Sequence, residues 1–215
     1  MTAYIREPFN ALSHLAGAIL SFIALLAMVI KAAYSQAPAL HITAVLIFGI
    51  SLMLLYTAST VYHTVNARPG VIAFFRKLDH SMIFLLIAGS YAPFCLIALE
   101  GALGWTVFGI VAALGISGIF FKMIWFHAPR WLSTAIYILM GWIIVFAAGP
   151  LAGSLSVTGL WLLIAGGILY TVGGVIYWLK PDFLSSRYLG FHEIFHIFIL
   201  LGSACHFLAV YIYVL

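Results

Sequence analysis

Residues 131–179 contain no Asp, Glu, Lys or Arg, and neither do residues 8–30 or 32–67. A helix needs about 20 predominantly apolar residues to cross a bilayer. Uncharged runs of that length cannot coat a water-facing surface, and they constrain this chain more than any other feature. Composition points the same way. Of 215 residues, 66% are hydrophobic and 7% charged, with a mean hydropathy of +1.21. A soluble domain carries about a quarter charged residues. A soluble enzyme, a disordered chain and a nucleic-acid-binding domain are therefore excluded. The net charge of +4 comes from too few groups to form a basic footprint. The expected fold class is all-α: a polytopic membrane protein.

The apolar runs divide into seven expected spans. Helix 1 covers 8–30 and ends near Tyr34. It is too long for a signal-peptide core and reads as a retained helix. Ser35-Gln36-Ala37-Pro38 breaks the next run, and helix 2 follows from about His41 to Val65. Helix 3 spans about Leu78–Leu99 and helix 4 about Leu103–Trp125. Gly149-Pro150 divides the longest run into helix 5, about 131–148, and helix 6, about 157–179. Helix 7 starts near Phe191. Six of the seven prolines fall at these boundaries, where the missing N–H costs least, while Pro93 should kink helix 3. Short loops leave one domain, 1–215. Glycines 115, 118, 166, 167, 173 and 174 should allow close helix packing. Cys95 and Cys205 lie in apolar runs and should pack as small hydrophobes.

Basic residues set the orientation. Arg6, Arg68, Arg76, Lys77, Lys122, Arg130, Lys180 and Arg187 all fall on one side of this topology, and only Lys31 on the other. By the positive-inside rule the N-terminus is cytoplasmic and the C-terminus outside. That is opposite to the G-protein-coupled receptors.

Ionisable residues within spans suggest function. At the cytoplasmic ends stand Asn10, Ser13 and His14 on helix 1, and Ser59 and His63 on helix 2. Asp79 and His80 occupy the first turn of helix 3, and His192, Glu193 and His196 open helix 7. The outer ends offer only Lys31, His41 and Glu100. His192 and His196 are four apart, so one helix face presents two imidazoles that can chelate a metal. His63 would complete a three-histidine site with a fourth position open. Zn²⁺ suits imidazole donors and open tetrahedral geometry. Asp79 could then orient a water and accept its proton. Ser59, one turn before His63, could hydrogen-bond that water or an oxyanion.

Each feature also has a plainer reading. The histidine pair could be interfacial, Ser59 a packing hydroxyl, and Asp79 an ion-pair partner of Arg76 or Lys77. His14 and His80 fit headgroup-level side chains, and His127 an ordinary loop residue. Trp105, Trp125, Trp131 and Trp161 fit interfacial anchors. Convergence at one depth favours a metal site over these.

Three motifs, in order, resemble those of the progestin and adipoQ receptor family, and the short N-terminus resembles its haemolysin III-like branch. They are Glu7-Pro-Phe-Asn10-Ala-Leu-Ser-His14, then Ser59 with His63 and a distant Asp79, then His192 and His196. The resemblance covers essentially the whole chain. It implies seven helices with the N-terminus inside, zinc on His63, His192 and His196, Asp79 contacting the metal through water, and Ser59 close by. It also implies a link to lipid amide hydrolysis, cytolysis and membrane-lipid homeostasis. His192-Glu193-Ile-Phe-His196 fits the H-E-x-x-H pattern of zinc proteases too, with Glu193 as base. No aspartate follows residue 182 to complete an intramembrane protease site.

The leading expectation is a multi-pass protein of the cytoplasmic (plasma) membrane that hydrolyses an amide or ester bond of a membrane lipid with zinc. The alternatives are a zinc-stapled, non-enzymatic sensor or receptor, and a pore-forming cytolysin. A pore or an ion transporter should carry polar residues through the full membrane depth, and here they gather at one end. The expected partner is a membrane lipid, as substrate or ligand, and no nucleic acid. The sequence names no protein partner.

Overall fold

The computed structural model describes residues 5–184, 186 and 189–215. Among them, seven helices are long and apolar enough to cross a membrane. They are α1 Pro8–Tyr34, α2 Ala39–Thr64, α3 Pro69–Leu99, α4 Gly101–Ile124, α5 Arg130–Ser154, α6 Val157–Leu179 and α7 Phe191–Val214. The described residues contain no strand. In lipid, a helix satisfies its own backbone groups, which an open strand cannot do. Large apolar side chains such as Phe120, Leu139 and Phe146 point outward, as a surface solvated by lipid tails requires.

The α1, α2, α4, α6 and α7 spans follow the apolar runs, within a few residues. Two boundaries differ. α3 begins at Pro69, nine residues before the expected start. Pro69 presets the helical φ where no intrahelical N–H bond is needed, and Arg76 and Lys77 are carried on stems long enough to reach polar surroundings. Charge therefore does not end the helix. Asp79 and His80 lie about 15 Å along the axis from the helix start, in its third turn rather than its first.

The second difference is in α5. Gly149-Pro150 does not break it. The helix tightens to a 3₁₀ form over Trp142–Ala147 and resumes over Ala148–Ser154. Pro150 falls in the first turn of the resumed segment, where its missing N–H costs little. The break comes at Leu155-Ser156, where Ser156 Oγ accepts the Gly159 N–H at 3.1 Å and caps α6. Past Pro93, α3 widens into a π-helix over Phe94–Leu99.

Small residues set how closely the helices approach. A Cβ on Gly118 would collide with the Phe84 ring, and one on Gly166 with His206; Gly115 meets Ala88 and Gly173 meets Phe198. Gly167 and Gly174 have more room. Cys95 is buried and Cys205 partly so, and both are free thiols. Trp105, Trp125, Trp131 and Trp161 are all more than half exposed.

Alternation of the spans brings the starts of α1, α3, α5 and α7 to the same end as the finishes of α2, α4 and α6. Arg6 donates to the Tyr62 carbonyl at 2.7 Å, fastening the chain before α1 to the last turn of α2. Lys31, at the opposite end, donates to the Tyr211 carbonyl. Arg187, counted with the basic residues of the α6–α7 connection, lies outside the described residues.

Candidate metal centre

The last turn of α2 and the first turns of α7 meet at the basic end of the bundle. His192 and His196 are one helical turn apart, with ring centroids at 4.7 Å. His63 lies across from both, at 5.1 Å from His192 and 4.9 Å from His196. One ring nitrogen from each of the three can be chosen so that all lie within 4.8 Å of one another. His63 and His196 are buried and His192 is half-buried.

The hydrogen bonding shows what such a cluster fits. His63 Nε2 and His196 Nδ1 are buried without a hydrogen-bond partner. An unsatisfied buried polar atom costs about 1–3 kcal/mol, a cost that a ligand bound at this cluster would reduce. Glu7 fixes the tautomer of His63. Its Oε2 lies 2.6 Å from His63 Nδ1, while the Glu7 backbone N–H donates to the His63 carbonyl at 3.0 Å. The His63 hydrogen bond outweighs the cost of burial, and Arg6 adds its charge, so the Glu7 carboxyl is held down to about 2. An ionised Glu7 makes Nδ1 the protonated nitrogen and leaves Nε2 with a lone pair for a metal. Carboxylate behind histidine is a common support for a metal ligand. Three imidazoles with an open position suit a transition metal ion.

The first sequence motif proves to surround this cluster. Asn10 donates to Glu193 Oε1 at 3.0 Å and to Glu7 Oε2 at 3.4 Å. His14 stacks on His196, with centroids 3.6 Å apart and ring planes 10° from parallel. His14 is 3% exposed, so it is not a headgroup-level side chain. Glu193, the base in the H-E-x-x-H reading, is committed elsewhere: its Oε2 accepts the Gly190 N–H at 2.9 Å. It holds the first turn of α7 together and ties it to α1.

Ser59 and Asp79 are buried side by side opposite His63. Asp79 does not pair with Arg76 or Lys77; among the described residues both ion pairs use Glu7, with Arg6 and with His63. Both side chains open onto a cavity of about 680 Å³ that His14, His192 and His196 also line. Beyond this polar head the walls turn apolar, with Leu86, Ile87, Phe94 and Ile199, and the cavity extends to Leu151 and Leu160. His80 and His127 line it as well.

Further polar groups lie beyond the histidines, and of these Tyr170 and His206 line the cavity. Ser203 Oγ lies 2.6 Å from the Tyr56 hydroxyl and 2.8 Å from the Tyr170 hydroxyl. His206 Nε2 is 3.3 Å from the Leu163 carbonyl. Ser203 and His206 follow His196 by seven and ten residues, which returns them to the same face of α7. That periodicity was the available signal for them.

Residues 2–207 match the family described as haemolysin-III related. "Hemolysin-3" of Bacillus cereus is 44% identical, over 100% of this chain and 95% of that protein. "Hemolysin-3 homolog" of Bacillus subtilis (strain 168) is 42% identical, over 97% of this chain and 94% of its own length. The human "Monocyte to macrophage differentiation factor" is 27% identical, over 78% of this chain and 68% of its own. These similarities bear out the resemblance carried by the three motifs.

Proposed function

The chain belongs to the haemolysin-III-related family, as a multi-pass protein of the cell membrane, and we propose that it is a zinc-dependent hydrolase of a lipid amide or ester bond, serving membrane-lipid homeostasis. One observation carries the reading: of three mutually close imidazoles, two, His192 and His196, line the polar head of a largely apolar cavity together with the Asp79 carboxylate and the Ser59 hydroxyl. In this reading His63, His192 and His196 hold the zinc. Bound zinc would supply Lewis-acid polarisation of a carbonyl and acidification of a water molecule.

The remaining roles fall to the chain itself. Asp79 accepts the proton of the attacking water and returns it to the leaving nitrogen or oxygen. Ser59 donates its hydroxyl hydrogen to the oxygen on which negative charge develops. Glu7 keeps the His63 ring oriented, and the His14 ring seats that of His196. The apolar walls receive the acyl chain and keep water from the reacting bond. The basic end of the bundle faces the cytoplasm, which sets the site at the depth of the inner headgroups.

A second reading, a zinc-stapled sensor without catalysis, draws on the origin of the histidines. They come from helices far apart in sequence, so a metal there would tie α2 to α7. Asp79→Asn separates the two. It keeps the size of the side chain and removes the base. As a hydrolase, the variant should retain its zinc and lose lipid turnover by about 10²–10⁴-fold. Wild-type turnover in a zinc-loaded Asp79→Asn preparation would remove Asp79 from the mechanism.

A further inference from the structure

Cations line the cavity in excess of its anions. Lys122, near the end of α4, is 3% exposed, makes no hydrogen bond or ion pair among the described residues, and faces the cavity. Arg76 from α3 and Arg130 at the start of α5 line the same cavity. Arg76, Lys77 and Lys122 converge on one ring, Phe126, at 5.2, 5.9 and 5.9 Å. Arg130 lies over the Tyr177 ring at 4.8 Å.

The chain has five acidic residues, and they do not neutralise this group. Glu7 is held by Arg6 and His63, and Glu193 by Gly190 and Asn10. Glu100 is at the other end of the bundle and Asp182 is in the α6–α7 connection. Asp79 shares the cavity but forms no ion pair there. In the cavity one carboxylate, Asp79, thus faces three cations, of which Lys122 is buried, Arg130 half-buried and Arg76 exposed, while Glu7 lines the recess but is held by Arg6 and His63. A buried, unpaired cation is costly within a membrane protein, and that cost falls when an anionic ligand arrives.

The positive-inside rule accounts for basic residues at this end, but not for burying Lys122 or for lining a cavity with Arg76 and Arg130. Arg68 and Lys180, at the same end, stand exposed and line neither cavity nor recess. Beside the histidines is a separate polar recess of about 110 Å³, lined by Arg76, Arg130, Tyr62, Tyr177, His192 and Glu7. That volume is a few water molecules' worth, enough for one tetrahedral oxyanion and too little for a chain. Arg76 and Arg130 belong to both spaces. A single ligand can therefore place its anion between the arginines and its chain in the cavity, with its acyl linkage near the histidines between them.

We propose that Arg76 and Arg130, with Lys122 adding charge from the cavity side, form a phosphate site, and that the lipid this cavity takes carries a phosphate group. Arginine forks match phosphate oxygens in geometry, and Lys122 adds a point charge. The proposal rests on the hydrolase reading only for the placing of the acyl bond; the anion site is independent of it.

The test reads binding alone, so absence of hydrolysis leaves it unaffected. Full-length protein is titrated with 1-oleoylglycerol 3-phosphate and, separately, with uncharged 1-oleoylglycerol, and complexes are counted by native mass spectrometry. Wild type should prefer the phosphate lipid by about tenfold or more. Lys122→Met combined with Arg130→Gln should bring the two lipids to parity, with binding of the neutral lipid retained as proof of folding. Arg130→Lys, which keeps the charge, should keep a preference. Inorganic phosphate is the soluble arm. Competition by it would assign affinity to the anion itself, and no competition would assign it to phosphate joined to a chain; either supports the site when the charge-removed variant shows parity. Equal binding of both lipids by wild type, or an undiminished preference in the variant that retains neutral-lipid binding, would overturn the proposal.

Discussion

At the scale of single residues, the centre depends on contacts between groups far apart in the chain. His192 and His196 could be paired from spacing alone, because a helix sets i and i+4 on one face. Ser59, His63 and Asp79 could be grouped with them by depth. Glu7 could not be assigned a role that way: its bond to His63 joins positions 56 residues apart. Likewise only the packing of α1 against α7 reveals that His14 stacks on His196 rather than facing headgroups. Glu7 therefore gives a specific expectation. Glu7→Gln removes the anion behind His63 Nδ1 but preserves the shape of the side chain. Metal affinity, measured by competition with a chelator of known strength, should weaken by about 10–100-fold. Unchanged affinity would make Glu7 only a tether between α1 and α2.

At the scale of elements, spans were legible wherever lipid alone defined them, because an apolar run of the right length has one stable solution in a bilayer. Ends were less legible where side chains or local backbone form decided. α3 starts early because Arg76 and Lys77 can sit within a helix. α5 survives Pro150 because a 3₁₀ segment precedes it. Glycine content indicated close packing without saying which glycines supply it. Phe84 of α3 is fully buried and lies against Gly118 of α4, so Gly118→Ala forces a ring in a filled core to move. Overpacking of this kind costs about 1–3 kcal/mol, read as a lowered thermal unfolding temperature in detergent. Gly167 is the control. Its nearest neighbour is Trp142 at 3.8 Å, so Gly167→Ala meets no clash and should gain up to about 1 kcal/mol from helix propensity. Equal effects at both positions would contradict the packing assigned to α3 and α4.

At the scale of the whole molecule, seven helices place a histidine cluster at one end and a long cavity behind it. The distribution of charge predicts the direction of that arrangement in the membrane. Reporter fusions in the α2–α3 and α4–α5 connections should score cytoplasmic, and one after α7 should score external; a cytoplasmic C-terminus would reverse the proposed orientation. The cavity itself was not legible, since its volume is what remains after helices from all parts of the chain have packed. The polar groups of Tyr170 and His206 on its wall depend on the same packing. The claim on which the rest depends is that His63, His192 and His196 hold one metal together. The most direct measurement is the metal content of purified protein, by elemental mass spectrometry after dialysis against metal-free buffer. Wild type should carry about one zinc per chain, and His192→Ala with His196→Ala should carry almost none, because the remaining imidazole is too few donors to retain it. Stoichiometric zinc in that double variant, folded and monodisperse, would contradict the account.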